Sequence, residues 1–267
     1  MKTTTLNDGT RVACLRVQEA RVLDRHVGGY TGHGITLPDD AVVIDAGANI
    51  GLFGVRLMQE LQQARVFACE PIPDIHAVLA HNATLHGDGR MTALCCGLSS
   101  APGRLQFTYF PNSPALSTAH LEDWDNPDAF GEAVRGAMRS SHEAIPWLRF
   151  VPMFLSGLVA RVLWSKRKEV DADLITVSAL MEANELDRID LLKIDCEGAE
   201  LHILEGVSDA HWPAIRQVVA EVNNLDGRLD AVMGLLKKHG LTQIETEVED
   251  GFEHTTLVNV YATRGVA

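Results

Sequence analysis

Val42 to Gly54 reads VVIDAGANIGLFG. Three apolar residues, Val42, Val43 and Ile44, run into Asp45. Gly47, Asn49 and Gly51 follow, and an apolar run of helical character extends from Ile50 through Leu57. A buried strand, a glycine turn and a helix start are what a nucleotide-type ligand uses at the carboxyl edge of a parallel sheet. Many α/β proteins share such a turn, so a second mark is needed. Glu70 supplies it, closing the next apolar run, ARVFACEP. It lies about 20 residues on, where an acidic side chain accepts hydrogen bonds from two ribose hydroxyls.

The turn itself selects among nucleotides. A dinucleotide fingerprint keeps glycine at its second position so that backbone can approach a pyrophosphate. Asn49 stands there, and its side chain would crowd that group. No Gly-Lys-Ser/Thr follows, so a phosphate-cradling ATP loop is absent. A ligand with ribose and adenine but no phosphate fits better, and S-adenosylmethionine is the common one. A nicotinamide dehydrogenase is the weakest reading, given Asn49.

Composition narrows the function classes. The 267 residues are 46% hydrophobic and 22% charged, enough for one large domain or one domain with a substantial insertion. The net charge of −13 argues against a nucleic-acid substrate, because phosphate-backbone binding is driven by Lys and Arg. The amino terminus, MKTTTLNDGT, has no apolar secretory core. No run of about 18 apolar residues offers a membrane span. The five cysteines match neither paired zinc spacing nor an iron–sulfur triplet. Cys69, Cys95 and Cys196 fall in expected buried strands, where a thiol acts as a small hydrophobe. A reduced, intracellular, cytoplasmic protein is the expectation.

Read in order, residues 4–17 predict a hairpin turning at Asn7-Asp8-Gly9, and 18–27 a helix broken by Gly28-Gly29-Tyr30. Residues 1–40 thus form an N-terminal cap. Tyr30 and His33 can fold over the methionine end of a cofactor or simply cap the sheet as a surface loop. From Val42 strands and helices alternate. Strands are expected at 42–46, 65–69, 91–96, 189–194 and 215–222, and helices at about 50–62, 74–86, 199–207 and 227–239. Gly97 and Leu98, after the third strand, are candidates for adenine contact. Residues 104–110 alternate like an edge strand. The runs 242–248 and 256–263 read as a hairpin joined near Glu249-Asp250-Gly251. The result is an α/β, doubly wound, mostly parallel sheet with a C-terminal antiparallel hairpin.

The second informative stretch is Asp190 to Glu200, DLLKIDCEGAE. Its strand should lie beside the first, bringing Asp195 and Glu197 to the same crevice. These acids can hold the cofactor's amino group, act as a general base, or join Glu221 and Asn223 around a divalent ion. Such ligand sets are common by chance, and no metal is assigned. Glu200 reads as a carboxylate at a helix N-terminus, and Lys193 as a partner for a neighbouring acid. Candidate bases are Asp195, Glu197, His33, Tyr109 and His120, with no spacing rule to choose among them.

Together VVIDAGANIGLFG, ARVFACEP and IDLLKIDCEGAE resemble the FkbM family of S-adenosylmethionine-dependent methyltransferases. GITLPDD, EPIPDI, WPAIRQVVAEV with DGRL, and TTLVNVYATR are similar to the branch found in polyketide and nonribosomal peptide biosynthesis. The resemblance covers about 5–112 and 170–264. It implies a class I methyltransferase (Rossmann-like) fold and methyl transfer to a hydroxyl, less often to nitrogen or a carboxylate. It also implies cofactor contacts at Asp45, Gly47, Asn49, Gly51, Glu70 and Asp195, with Pro71 beside Glu70. A non-methylating use of the cofactor (cyclisation or aminocarboxypropyl transfer) and a silent binding module remain alternatives.

Residues 113–170 depart from the family pattern. They are expected to form a helical insertion, ending in the apolar WLRFVPMFLSGLVARVLWSKRK from Trp147 to Lys168. A lid over the acceptor pocket is the leading expectation. An interfacial membrane helix and a contact with a second copy or a carrier protein are the others. A greasy lid suggests an apolar or carrier-tethered acceptor.

Overall fold

The computed structural model describes residues 1–111, 166–196, 198–248 and 256–265. The chain opens with a hairpin of β1 (Lys2–Thr5) and β2 (Arg11–Cys14), paired from Lys2↔Cys14 to Thr5↔Arg11. The Asp8 side chain shapes its turn by accepting from Thr10 N at 2.8 Å. Helix α1 (Val17–His26) follows. The α-helix ends at His26, as expected ahead of the glycines, and the chain tightens into a 3-10 turn over Val27–Thr31. A side chain at Gly28 would come within 2.7 Å of the Arg56 guanidinium, whose flexible end would have to move aside. Arg56 in turn holds α1 through Asp24, at 3.2 Å from its carbonyl and 3.4 Å from its carboxylate.

The alternating region begins with β3 (Val42–Ala46), α2 (Leu52–Glu60), β4 (Arg65–Cys69), α3 (Pro73–His86) and β5 (Met91–Leu94). A two-residue strand β6 (Gly97–Leu98) and β7 (Gly103–Tyr109) come next. After the insertion the chain resumes with β8 (Lys168–Ile175), α4 (Val177–Ala183), β9 (Leu191–Ile194), α5 (Glu200–Glu205), β10 (Gln217–Asn223), α6 (Arg228–Lys238), β11 (Gln243–Glu247) and β12 (Leu257–Thr263).

The main sheet runs β11-β12-β10-β9-β3-β4-β5. β3, β4, β5, β9 and β10 are mutually parallel, and β12 is antiparallel to both of its neighbours. The strand order reverses between β3 and β9, opening a crevice at their carboxyl ends. Alternation divides the core cleanly. Val43, Val66 and Val219 face the hairpin, α2 and α3, while Ile44, Leu192 and Val218 face α5 and α6. Each such side chain contributes about 1.5–3 kcal/mol by leaving water.

Several expectations are corrected in detail. Residues 103–109 are not an edge of the main sheet. They do form an edge strand, as expected, but of a separate sheet ordered β6-β8-β7, where they pair antiparallel with β8. β8 starts at Lys168, inside the stretch expected to be insertion, because KEVDADLI alternates and finds a partner across that gap. β5 ends at Leu94, so Cys95 lies beyond it and is exposed, and Cys196, two residues past β9, is half-buried. The expected helical lid at 113–165 and the tip at Glu249-Asp250-Gly251 lie outside the described residues. Among the described residues no helix is long and apolar enough to cross a membrane.

Two buried polar groups pin the layers. Asn82 on α3 accepts from Ala13 N at 2.8 Å and donates to Ala13 O and Ile50 O at 3.0 and 2.8 Å. It thereby ties the hairpin to the glycine turn. Asp190 accepts from Val42 N, Arg188 and Arg216 at the opposite, amino-terminal edge of the sheet. Neither role is visible in spacing, because Ala13 and Ile50 for Asn82, and Val42 and Arg216 for Asp190, are remote in sequence.

Candidate active site

The turn after β3 passes hard against the end of β9. Gly47 has φ +73°, and a Cβ on it would stand 1.8 Å from the Asp195 carbonyl oxygen. Asp195 N donates to Ala46 O at 3.1 Å, so the two strand ends are also bonded. Asn49 takes the left-handed conformation at φ +49°, which Asn tolerates. Its Oδ1 folds back to accept from Ile50 N at 2.8 Å. Gly51, at φ +84°, starts α2, where a side chain would meet Leu79 at 2.6 Å.

Glu70, one residue past β4, is buried and clasps two loops. One carboxylate oxygen accepts from Asn49 N at 3.2 Å and the other from Ile72 N at 2.9 Å. Burial pushes its pKa up to about 7, against the pull of those two amides. Each oxygen keeps a further lone pair. Pro71 follows, and the Gly97 backbone lies against it: a Cβ on Gly97 would be 3.7 Å from Pro71 Cβ. Gly97 and Leu98 pair in parallel with Leu174 and Ile175.

Lys193 on β9 is the hub of the crevice. Its ammonium lies 2.9 Å from Asp45 Oδ1, 3.1 Å from Gly47 O and 3.7 Å from Asp195 Oδ2, and sits over the Tyr30 ring at 5.1 Å. Burial lowers its pKa, but Asp45 and Asp195 outweigh burial and hold it above the ordinary lysine value. Asp45 is fully buried, and burial raises its pKa despite Lys193. Its Oδ2 has no hydrogen-bond partner among the described residues. Tyr30, brought in by the 3-10 turn, donates its hydroxyl to Asp195 Oδ2 at 2.8 Å. Burial, then the Asp195 charge, raises the phenol well above its usual pKa.

Of the sequence-derived candidates, Tyr30, Asp45, Gly47, Asn49, Glu70 and Asp195 thus surround one crevice. Two candidate bases do not join it. His33 bridges Glu245 and Glu247 at 3.3 and 3.0 Å and stacks on Tyr261 with ring centres 4.3 Å apart. Tyr109 is buried at the end of β7, where burial pushes its pKa up to about 12. Glu197 and His120 lie outside the described residues. Glu221 pairs with His26 at 3.2 Å, and Asn223 accepts from the Thr256 hydroxyl. Among the described residues no set of three metal-ligating side chains converges.

Glu200 stands first in α5, at the helix N-terminus as expected, and is fully buried there. One oxygen accepts from Gly198 N at 2.8 Å, the other has no partner among the described residues, and burial pushes its pKa up to about 7. Residues missed altogether are Tyr261 and Asn259. Their spacing of two on β12 puts them on one face, a signal the alternation carried.

The strand order, the reversal point and the glycine turn facing an acidic strand end define a class I, Rossmann-like methyltransferase. The chain matches the model of the methyltransferase FkbM domain over residues 45–241, and it belongs to that family of S-adenosylmethionine-dependent methyltransferases. It is 34% identical over 271 residues to the 31-O-demethyl-FK506 methyltransferase FkbM of Streptomyces tacrolimicus, covering 99% of this chain and 97% of that protein. It is 36% identical over 213 residues to methyltransferase sdnD of Sordaria araneosa, covering 76% and 74% respectively. It is also 32% identical to a segment of the AMB antimetabolite synthetase AmbE of Pseudomonas aeruginosa, a match covering 97% of this chain and 12% of that one.

Proposed function

We propose that the protein methylates a hydroxyl of a small-molecule or carrier-tethered natural-product intermediate. The observation that carries this reading is the Tyr30–Asp195 hydrogen bond of 2.8 Å beside the glycine turn. The residues fit the family's cofactor. Asp45 Oδ2 is a buried acceptor without a hydrogen-bond partner among the described residues, the Gly47 turn leaves no room for a side chain, and Glu70 keeps spare lone pairs. Glu70 would take the ribose hydroxyls. Pro71, Gly97 and Leu98 would border the adenine, and Tyr30 and Asp195 the methionine end. The bound cofactor would supply a methyl group on a sulfonium sulfur, already activated for displacement.

The chain's own work is then to orient the nucleophile and receive one proton. Asp195 Oδ2 is held by Tyr30, and Oδ1 is left to accept the proton of the attacking hydroxyl. Lys193, held charged by Asp45 and Asp195, stays 3.7 Å from Asp195 Oδ2. The relatives' names support a hydroxyl acceptor and a biosynthetic setting, since one acts on 31-O-demethyl-FK506 and another is part of a synthetase.

The test incubates purified protein with S-adenosylmethionine and candidate hydroxyl and amine acceptors, followed by mass spectrometry. Acceptor-dependent S-adenosylhomocysteine with an O-methylated product is expected. Methylthioadenosine without methylated product, or methylation on nitrogen alone, would overturn the reading.

A further inference from the structure

His33 lies just past the 3-10 turn that carries Tyr30. Tyr30 reaches inward, its hydroxyl 2.8 Å from Asp195 Oδ2. His33 meets the antiparallel end of the sheet instead, with Nδ1 3.3 Å from Glu245 Oε2 and Nε2 3.0 Å from Glu247 Oε2. We propose that His33 is a positioning residue for methyl transfer: it fastens the turn to β11 and β12 and so aims the Tyr30 hydroxyl at Asp195. The proposal deepens the methyl-transfer reading, on which the role given to Asp195 rests.

The strand register builds the far side of this latch. Glu245 stands opposite Tyr261 of β12, and Glu247 follows on the same face of β11. Edge-strand carboxylates commonly do no more than keep an edge solvated. Here both lie against one imidazole, whose ring stacks on Tyr261 with centres 4.3 Å apart and planes 28° apart. Exposed ion pairs alone hold little, and the stack adds to them. The backbone supports the same reading. His33 has φ +52° and the following Gly34 φ +81°. Glycine takes this conformation freely, while a histidine there is held against a cost that its partners offset.

The latch holds the chain on both sides of Tyr30. After it stands His33, joined to the turn through Gly32, whose N donates to Gly29 O at 3.1 Å and whose O accepts from Ile35 N at 3.0 Å. Before it stands Gly29, whose carbonyl lies 3.4 Å from the Tyr261 hydroxyl. That hydroxyl is also 3.2 Å from Glu247 Oε2, the oxygen that faces His33. His33, Tyr261 and Glu247 thus form one set of contacts that brackets Tyr30. The Tyr30 ring itself packs edge-on against His26 and Phe53, with centres 5.3 and 5.6 Å apart. Those contacts seat the ring, and the backbone held at Gly29 and His33 sets how far the hydroxyl reaches towards Asp195. With each ring nitrogen against a carboxylate, His33 acts through Tyr30 and not on the substrate.

The test is carbon NMR on the full chain carrying tyrosine labelled at Cζ. The three tyrosines give three signals, and Tyr30→Phe assigns that of Tyr30. His33→Gly accepts the left-handed backbone and removes the ring, and in it the Tyr30 signal should move towards that of a phenol without a hydrogen bond. His33→Arg, planar and charged, should restore most of the wild-type position. Glu247→Leu reaches the latch from β11, should move the signal in the same sense, and supplies the answer should His33→Gly not fold. Calorimetry should show S-adenosylmethionine bound about two- to fivefold more weakly by His33→Gly, with no further loss when His33→Gly is added to Tyr30→Phe. A Tyr30 signal unmoved in these variants, even with a lower melting temperature, would overturn the proposal, as would a His33→Gly effect undiminished in the Tyr30→Phe background. The tyrosine signals are read without cofactor or acceptor, so a wild type that fails to bind S-adenosylmethionine would count against the methyl-transfer reading alone.

Discussion

Gly47 and the Asp195 carbonyl touch so closely that the smallest side chain on Gly47 would overlap that oxygen, at 1.8 Å. The contact couples the glycine turn to the acidic end of β9, and both to the cofactor crevice. Gly47→Ala should cost roughly 1–3 kcal/mol through the clash and the φ of +73°. It should also weaken S-adenosylmethionine binding more than tenfold as the turn withdraws. Urea unfolding and calorimetry would check the two effects, and unchanged affinity would mean the turn does not border the cofactor.

Tyr30→Phe keeps the ring over Lys193 and removes the hydroxyl that holds Asp195. Stability should change by only about 0.5–1.5 kcal/mol. Turnover should fall roughly ten- to a hundredfold once an acceptor is in hand if Asp195 is the proton acceptor proposed above, because its carboxylate loses its orientation. Steady-state kinetics with kcat resolved from KM would show it.

Lys193 and Asp45 are a buried ion pair at 2.9 Å. Lys193→Met leaves the Asp45 charge uncompensated and should destabilise the fold by about 3–5 kcal/mol. The double variant Lys193→Met with Asp45→Asn should recover a large part of that loss. Chemical denaturation of the single and double variants measures the coupling.

Glu200 and Glu70 both have folded-state pKa values of about 7, raised by burial from 4.5. The folded state therefore binds more protons than the unfolded chain between those values. The stabilisation is complete below about 4.5 and is lost as pH rises through about 7. Glu200→Gln removes one such group without removing its hydrogen-bond acceptor. The variant should gain roughly 1–3 kcal/mol over wild type at pH 8 and little or nothing at pH 4.5. Urea midpoints measured across that range test the sign; a constant difference would show that Glu200 does not titrate there.

Asn82→Ala should cost about 2–4 kcal/mol, since it strands Ala13 N and two carbonyls in a dry interface. Hydrogen exchange should show the loss first at β2 and the glycine turn, which Asn82 alone links by side chain among the described hydrogen bonds.

The sheet was legible wherever side-chain period and turn chemistry agreed. β3 and β4 fall on 42–46 and 65–69 as read, because continuous apolar runs bounded by turns leave little choice. The glycine turn and Glu70 were legible for a related reason: close backbone approach and a strand-end acid must be written into adjacent residues. β8 and α4 were not legible, since Lys168–Ile175 is charged and becomes a strand only against β7.

Local sequence decided the order of strands and helices, the crevice at Gly47 and the acids that face it. Those depend on interactions between near neighbours. The tertiary structure alone decided which candidates meet. It set Tyr30, from an N-terminal turn, on Asp195, 165 positions away. It carried His33 instead to Glu245 and Glu247. The reason is physical. Burial and hydrogen-bond partnership are properties of surfaces brought together by packing, and residues remote along the chain carry no spacing rule that foretells which surfaces those will be.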